Sequence, residues 1–127
     1  MLKIIGAEPL MANQKGMINA KEALTSPKVI ALYFSMHSCP PCRQFTPILA
    51  SLYEDMDQSF KGQFEVVFVS CDSSKQAFDK YYAEMPWLAL PWGDPRIVSL
   101  CNRFGVNTVP RLVILRADGT ILEKNAV

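Results

Sequence analysis

The segment Cys39-Pro40-Pro41-Cys42 constrains the fold of this chain more than any other feature. The apolar run before it predicts a buried strand, and the helical spacing of apolar residues after it predicts a helix over 40–57. Cys39 would then lie at a helix N-terminus, where unpaired backbone N–H groups and the helix dipole favour the thiolate. A thiolate is the form that attacks disulfides, and two cysteines at this spacing can close and reopen a small ring. The segment therefore predicts thiol–disulfide exchange.

The rest of the chain alternates between strand and helix patterns. Strands are predicted over 10–12, 17–19, 29–35, 64–69, 111–116 and 121–124, and helices over 21–24, 40–57, 74–84 and 95–103. The Pro- and Trp-rich residues 85–92 predict a loop or a short strand. Pro47 is expected to kink its helix, because proline cannot donate the hydrogen bond to the carbonyl four residues back. Asp94 and Gly105 are expected to begin and end the last helix.

This order of elements predicts an α/β fold with a central mixed β-sheet flanked by helices. Helix connections indicate parallel pairing in the first half, and the Asp118-Gly119 turn indicates antiparallel pairing in the second. We expect one domain over 1–127. Residues 1–28 would form an N-terminal hairpin or extension, and 29–127 would form its core.

The composition excludes several classes of function. The 127 residues are 50% hydrophobic, which suits one domain with a packed core. The 13 basic and 12 acidic residues nearly cancel, which argues against nucleic-acid or membrane partners. No apolar run is long enough to span a bilayer, and the N-terminus lacks a signal-peptide pattern. Four cysteines are too few for a disulfide-stapled secreted fold, so we expect a cytoplasmic protein.

A proline before the final hairpin strengthens the interpretation of the CPPC segment. The Val109–Pro110 bond is a candidate cis peptide, which is uncommon even before proline. CPPC after the first helix-linked strand, Pro47 in the helix and Pro110 before the hairpin together resemble the thioredoxin fold. The segments that narrow the resemblance to the tryparedoxin/nucleoredoxin branch are YFS at 33–35, FTP at 45–47, FEVVF at 64–68 and MPWLALP at 85–91.

The resemblance implies a role for each residue of the predicted site. Cys39 would be the attacking nucleophile and Cys42 the resolving thiol. The residues expected to bind substrate are Val109, Pro110, Pro40, Pro41 and Trp87. The redox-active Cys39–Cys42 disulfide would serve in place of any separate cofactor, and no metal is expected.

The resemblance also implies partners. These are protein disulfides, with a peroxiredoxin-type peroxidase as one acceptor, and we expect the protein to act as a monomer. The electron donor stays open between a low-molecular-weight dithiol such as trypanothione, glutathione, and an NADPH-linked reductase.

Three features depart from the family pattern. Ser38 stands before the first cysteine, where most of the branch has tryptophan. Tyr33 occupies the position of the buried aspartate of thioredoxins proper, where tryparedoxins also tend to have tyrosine. Tyr33, His37 or a water therefore stay open as the group that handles protons. The C-terminal helix of the family is expected to be absent or truncated, because the sequence ends at Val127.

Two further cysteines lie outside the CPPC segment. Cys71 follows a strand that is predicted to run parallel to the first, so it should end at the same sheet edge as the CPPC pair. It is a candidate regulatory thiol, with a half-buried loop cysteine as the alternative. Cys101 lies on the apolar face of its helix and is expected to pack in the core.

Two other functions compete with an enzyme that reduces protein disulfides. Four cysteines can hold zinc or an iron–sulfur cluster, but one CxxC with two separated cysteines does not have the usual ligand spacing. The second alternative is a redox-sensing, protein-binding module with little turnover, which the loss of the tryptophan at Ser38 favours.

Overall fold

A computed structural model describes residues 2–12, 16–25, 27–60 and 62–127. The elements in chain order are α1 (Leu2–Ile5), β1 (Leu10–Ala12), β2 (Gly16–Ile18), α2 (Ala20–Thr25), β3 (Val29–Ser35), α3 (Pro40–Ser59), β4 (Phe64–Ser70), α4 (Lys75–Tyr82), β5 (Leu88–Ala89), α5 (Pro95–Phe104), β6 (Arg111–Arg116) and β7 (Ile121–Glu123). No helix in these ranges is long and apolar enough to cross a membrane.

The described strands form one open mixed sheet in the order β2-β1-β5-β4-β3-β6-β7. Strands β3, β4 and β5 pair in parallel, while β6 pairs antiparallel with both β3 and β7. The predicted change from parallel to antiparallel pairing is confirmed. The N-terminal hairpin is more than an extension, because Met11 of β1 pairs with Ala89 of β5 and so joins the main sheet. The residues that would turn this hairpin, 13–15, lie outside the described part.

Strand β3 divides the core into two layers because successive side chains point to opposite faces. One layer holds Ile30, Leu32 and Phe34 with residues of α2 and α5. The other layer holds Ala31 and Tyr33 with residues of α3 and α4. Both faces of β3 are therefore buried, as the continuous apolar run predicts.

The helix boundaries follow the predicted capping residues closely. Asp94 accepts a hydrogen bond from the Arg96 N–H at 2.8 Å, and Gly105 ends α5 in the left-handed conformation with φ 61°. Ser74 caps α4 by accepting from the Ala77 N–H at 3.2 Å. Helix α1 was not predicted, since four residues carry too little periodicity.

Pro47 lies inside α3, which continues from Pro40 to Ser59, and the predicted kink stays a prediction. Residues 124–127 form no helix, and Ala126 instead donates its N–H to the Leu112 carbonyl at 2.9 Å.

The sheet register brings three separate loops to one edge. Strands β3 and β4 end side by side, with Ser35 opposite Ser70. The antiparallel strand β6 begins at the same edge, where Arg111 pairs with Phe34. The segments that follow β3, follow β4 and precede β6 therefore meet.

Candidate active site

Cys39 occupies the N-cap of α3, as predicted. Its backbone is extended, with φ −98° and ψ 111°, and its side chain makes no capping hydrogen bond. Pro40 and Pro41 fill the first helical positions, where the absence of N–H groups costs no helical hydrogen bond. Both prolines are exposed and Cys39 is half-buried. The first cysteine therefore lies at the surface, beside two rigid residues.

The loop before β6 lies directly against this cysteine. The Val109–Pro110 peptide is cis, as predicted. The Cys39 thiol donates to the Val109 carbonyl oxygen with a sulfur–oxygen distance of 3.7 Å. Both Val109 and Pro110 are half-buried. Backbone of this loop thus flanks the thiol on the side away from α3.

Cys42 differs sharply from Cys39, because its side chain is fully buried. Burial is the main cause that raises the pKa of this thiol, and the hydrogen bond with Cys39 raises it further. Hydrogen bonds from the Ser35 hydroxyl and the Met36 backbone act in the opposite direction and favour the thiolate. Cys42 is therefore a protonated thiol near neutral pH, with donors in place for its ionised form.

A cluster of buried hydroxyl groups surrounds Cys42 on the face of β3 that α3 and α4 cover. The Tyr81 hydroxyl lies 2.7 Å from the Ser35 hydroxyl and 2.6 Å from the Thr46 hydroxyl. Thr46 also lies 2.7 Å from the Tyr33 hydroxyl and donates to the Cys42 carbonyl oxygen at 2.9 Å. The four hydroxyl groups therefore form one hydrogen-bonded cluster beside Cys42.

Sequence reasoning named only Tyr33 in this cluster. Each surrounding element carries a hydroxyl-bearing residue on its buried face, and sequence reasoning missed this pattern. Ser35 ends an apolar strand, Thr46 lies one turn after Cys42, and Tyr81 lies on the apolar face of α4.

The hydroxyl cluster borders an open cleft of about 550 Å³. The lining residues are His37, Arg43, Thr46, Pro47, Ala50, Ser51, Glu54, Tyr81 and Glu84. Thr46 and Tyr81 are the two lining residues that also belong to the hydroxyl cluster. Two hydroxyl-bearing residues of the cluster thus reach the cleft.

Asp72 holds the loop before Cys39 in place. Its carboxylate accepts from the His37 backbone N–H and from the Ser70 hydroxyl, each at 2.7 Å. Its carbonyl accepts from the indole of the exposed Trp92 at 3.3 Å. The His37 ring packs against Tyr81 with centroids 5.5 Å apart. Sequence reasoning did not identify this anchor.

Cys71 follows β4 at the predicted edge, and its N–H donates to the Ser35 carbonyl at 2.9 Å. Its thiol interacts directly with Cys101 and senses the charge of Cys42 at longer range. Burial first, and then the Cys101 thiol, raise the pKa of Cys71 to about 12. Cys101 is half-buried against the core rather than fully enclosed. The direct neighbour of Cys71 is therefore Cys101 and not the CPPC pair.

Trp87 does not lie where its predicted role requires. Its side chain is 1% exposed and packs edge-to-face against Tyr33 and Tyr53, with centroid distances of 5.9 and 5.7 Å. Its indole N–H has no acceptor among the described residues. A ring enclosed in this way cannot touch a docked protein, so the prediction that Trp87 binds substrate is corrected to a core residue.

The described ranges contain no group of three or more His, Cys, Asp or Glu side chains arranged to hold a metal ion. The four cysteines are all free thiols. They divide into the CPPC pair and the Cys71–Cys101 pair rather than forming one cluster.

Residues 27–121 match the family model described as thioredoxin-like. The chain belongs to the thioredoxin-like family. Family membership implies thiol oxidoreductase activity in general terms.

Relatives and solved structures place the chain near tryparedoxins and nucleoredoxins. It is 46% identical to the tryparedoxin of Trypanosoma brucei brucei, over 78% of this chain and 69% of that protein. It is 46% identical to probable nucleoredoxin 1 of Arabidopsis thaliana, over 78% of this chain but only 17% of that protein. Tryparedoxin II from C. fasciculata superimposes with a TM-score of 0.86 at 36% identity, covering 96% of this chain and 83% of that one. The chain thus spans about a fifth of the length of the nucleoredoxins it matches.

Proposed function

We propose that this protein reduces protein disulfides through its CPPC dithiol, with Cys39 as nucleophile and Cys42 as resolving thiol. The observation that carries the proposal is the unequal placement of the two sulfurs. Cys39 is half-buried at the start of α3, beside the Val109–Pro110 backbone, whereas Cys42 is fully buried behind it. Only the first sulfur can meet a disulfide on another protein.

The reaction has two steps that balance in atoms and electrons. The Cys39 thiolate attacks a substrate disulfide, forms a mixed disulfide and releases one substrate thiolate, which takes a proton from water. Cys42 then attacks the Cys39 sulfur, the mixed disulfide breaks, and the second substrate sulfur leaves as a thiol. The substrate gains two electrons and two protons, and the protein ends with a Cys39–Cys42 disulfide.

The surface around Cys39 supports a protein as the substrate. Pro40 and Pro41 form a rigid exposed rim, and the Val109–Pro110 loop offers backbone on the other side. The small, exposed Ser38 leaves this rim open where the branch carries an indole. Trp87 is excluded from the docking surface by its burial.

The proposed partners follow from the family. We take a protein disulfide, such as that of a peroxiredoxin-type peroxidase, as the acceptor. A low-molecular-weight dithiol or an NADPH-linked reductase would return electrons to the Cys39–Cys42 disulfide. The protein needs no other cofactor for these steps, and we place it in the cytoplasm, where thiols are kept reduced.

A redox titration tests the proposal. The purified protein is equilibrated in dithiol/disulfide buffers and alkylated, and each cysteine is followed by peptide mass spectrometry. Cys39 and Cys42 should convert together, with a midpoint of roughly −180 to −270 mV, the range of known exchange proteins. If they never form a disulfide, or stay oxidised far below this range, turnover is excluded and the alternative of a redox-sensing binding module replaces the proposal.

Trapping separates the two roles. Cys42→Ser should accumulate a mixed disulfide with an oxidised protein substrate such as insulin, because the resolving thiol is missing. Cys39→Ser should trap nothing, since the remaining CPPC sulfur is buried. Equal trapping by both variants would contradict the assignment of nucleophile and resolving thiol.

A further inference from the structure

We infer that Ser35, Tyr81 and Thr46 form a hydroxyl chain that conducts the proton of Cys42 to the cleft beside α3. The inference deepens the proposed function and rests on it, because it concerns the second step of the exchange. Thioredoxins carry a buried carboxylate at the position of Tyr33, and the hydroxyl chain would handle the proton of the resolving thiol in its place.

The three hydroxyl groups are continuous in space. The Ser35 hydroxyl interacts with the Cys42 thiol, and its oxygen lies 2.7 Å from the Tyr81 hydroxyl. Tyr81 lies 2.6 Å from the Thr46 hydroxyl, which reaches the Cys42 carbonyl oxygen at 2.9 Å. All three side chains are at most 5% exposed. Oxygen–oxygen distances of this size are those of well-formed O–H···O hydrogen bonds.

Successive hydroxyl groups can donate their hydrogen bonds along the chain in either of two directions. Each hydroxyl has one proton to donate and two lone pairs that accept. When Cys42 is a thiol, its S–H donates to Ser35, Ser35 to Tyr81 and Tyr81 to Thr46. Thr46 then donates to the Cys42 carbonyl oxygen. Every proton has an acceptor, so this direction is fully satisfied.

The reverse direction suits the thiolate. Ser35 now donates to the Cys42 sulfur, Tyr81 to Ser35 and Thr46 to Tyr81. The Tyr33 hydroxyl, 3.2 Å from the Cys42 carbonyl oxygen, supplies the donor that Thr46 no longer provides. The same oxygens therefore stabilise both states of Cys42, and passing from one state to the other shifts one proton along the chain.

The far end of the chain reaches solvent at the cleft. Thr46 and Tyr81 both line it, and Thr46 is the more exposed of the two. A water in the cleft can accept the proton that leaves at this end. Burial raises the pKa of Tyr81 above its ordinary value, so Tyr81 passes a proton as a neutral hydroxyl and does not store charge.

Several titratable groups lie around this path. Cys39 acts on Cys42 itself, and Cys42 in turn acts on Cys71. The charged or titratable side chains that line the cleft are His37, Arg43, Glu54 and Glu84. None of them lies between Cys42 and Thr46, so the path inside the protein consists of hydroxyl groups alone.

The proton balance of the second step is complete with this path. Cys42 loses its proton to Ser35 as its sulfur bonds to Cys39, Ser35 passes one proton to Tyr81 and Tyr81 passes one to Thr46. The Thr46 hydroxyl turns from the Cys42 carbonyl oxygen toward the cleft and releases its proton to water there. The bond between Cys39 and the substrate sulfur breaks, and the departing thiolate takes a proton from solvent. No oxidant beyond the mixed disulfide is required.

The test compares two tyrosine variants that remove one buried hydroxyl each. Tyr81→Phe cuts the chain between Ser35 and Thr46. Tyr82→Phe removes a buried hydroxyl from the next residue of α4, whose hydrogen bonds go to the Met11 and Trp87 carbonyl oxygens. The reduced proteins react with the aromatic disulfide 5,5′-dithiobis(2-nitrobenzoate) in a stopped-flow instrument. The first release of coloured thiolate reports attack by Cys39, and the second reports attack by Cys42.

We expect Tyr81→Phe to leave the first phase unchanged and to slow the second by about 10- to 100-fold near neutral pH, within the usual range for a positioned proton-transfer group. The deficit should shrink at alkaline pH, where Cys42 ionises without help. Ser35→Ala should slow the second phase too, and should move its pH midpoint upward because it removes a donor to the thiolate. Tyr82→Phe should keep the second phase within about twofold of the unmodified protein.

Three results would overturn the inference. One is a second phase of normal rate and pH profile in both Tyr81→Phe and Ser35→Ala. Another is equal slowing by Tyr82→Phe, which would indicate general disturbance of packing. The third is slowing at every pH by the same factor. A missing first phase in the unmodified protein would instead refute the proposed function. Thermal unfolding of each variant verifies that it is folded, and Ser35→Ala tests the chain independently if Tyr81→Phe is not.

Discussion

The molecule carries two pairs of neighbouring thiols near one edge of the sheet, and their surroundings differ. In the first pair, Cys39 begins α3 and Cys42 has hydroxyl and backbone donors that favour its thiolate. In the second pair, burial is the largest cause that raises the pKa of both Cys71 and Cys101. Cys101 also lies in the second half of α5, where the helix dipole disfavours negative charge.

The comparison teaches that proximity of two sulfurs does not make a reactive pair. Reactivity requires a thiolate, and a thiolate requires either exposure or donors aimed at the sulfur. In the CPPC pair, Cys39 is the more exposed thiol, and Cys42 is the thiol with donors aimed at its sulfur. The Cys71–Cys101 pair has contact between its thiols but no comparable set of donors.

The largest expected effect is a difference in activity between two single variants, each of which removes one sulfur from one pair. Cys39→Ser should abolish reduction of a protein disulfide, because no other described thiol combines exposure with a helix N-terminus. Cys101→Ser should retain activity within about twofold, as expected for a site outside the exchange steps. An insulin reduction assay with dithiothreitol as electron source measures both. Comparable losses in the two variants would erase the distinction between the pairs.

The second effect is a difference in alkylation rate. The pKa of Cys71 is raised from 9.0 to about 12, so its thiolate is about a thousandfold scarcer at neutral pH than that of an ordinary cysteine. Iodoacetamide should modify Cys39 well before Cys71, as followed by peptide mass spectrometry over time. Rapid modification of Cys71 in the folded protein would show that its burial is not maintained in solution.

The third effect is a loss of stability in alkali. The folded-state pKa of Cys71 lies above its unfolded value, so its contribution is complete below pH 9 and is lost as pH rises toward 12. From about pH 8 to pH 10.5 this group should remove about 2 kcal/mol from the free energy of unfolding. Urea denaturation measures the change.

Cys71→Ala is the matched control for this measurement. It should flatten the alkaline loss but not remove it, because burial also raises the pKa of Tyr53 and Tyr81. An unchanged pH dependence in Cys71→Ala would assign the whole effect to the tyrosines.

The smallest effect concerns the candidate regulatory role of Cys71. Mild hydrogen peroxide should form the Cys39–Cys42 disulfide first, taking two electrons from the pair and yielding two waters. We expect only a minor, slower product that involves Cys71, and we expect its partner to be Cys101, the thiol it contacts. Mass spectrometry of non-reduced peptides identifies the pairing. A dominant disulfide from Cys71 to Cys39 or Cys42 would support the predicted regulatory role of Cys71 and contradict Cys101 as its partner.

Local patterns in the sequence predicted most of the elements because their causes are local. Asp94 and Gly105 delimit α5 through capping and a left-handed turn, and both depend on residues close in the chain. Strand β3 has the bounds predicted for it, since an apolar run of six residues followed by Ser35 admits few alternatives. Helix α1 and the pairing of β1 with β5 were missed, because they depend on contacts with distant residues.

The site divides in the same way. The CPPC motif, its place before a helix and the cis bond before Pro110 could be predicted from neighbours in the chain. The error at Trp87 has the opposite origin. An indole can face a partner or the core, and only the packing of α3 and α4 on the sheet shows that this one is enclosed.

The sequence by itself determined the chemistry available to this protein: two cysteines at a spacing that allows a reversible disulfide, placed after a buried strand and at the start of a helix. Only the tertiary structure decided which hydroxyl groups meet beside Cys42 and which thiol lies beside Cys71. Ser35, Thr46 and Tyr81 are far apart in sequence, and no local pattern relates them. They meet because β3, α3 and α4 pack together, and buried hydroxyls must then satisfy one another where water is excluded.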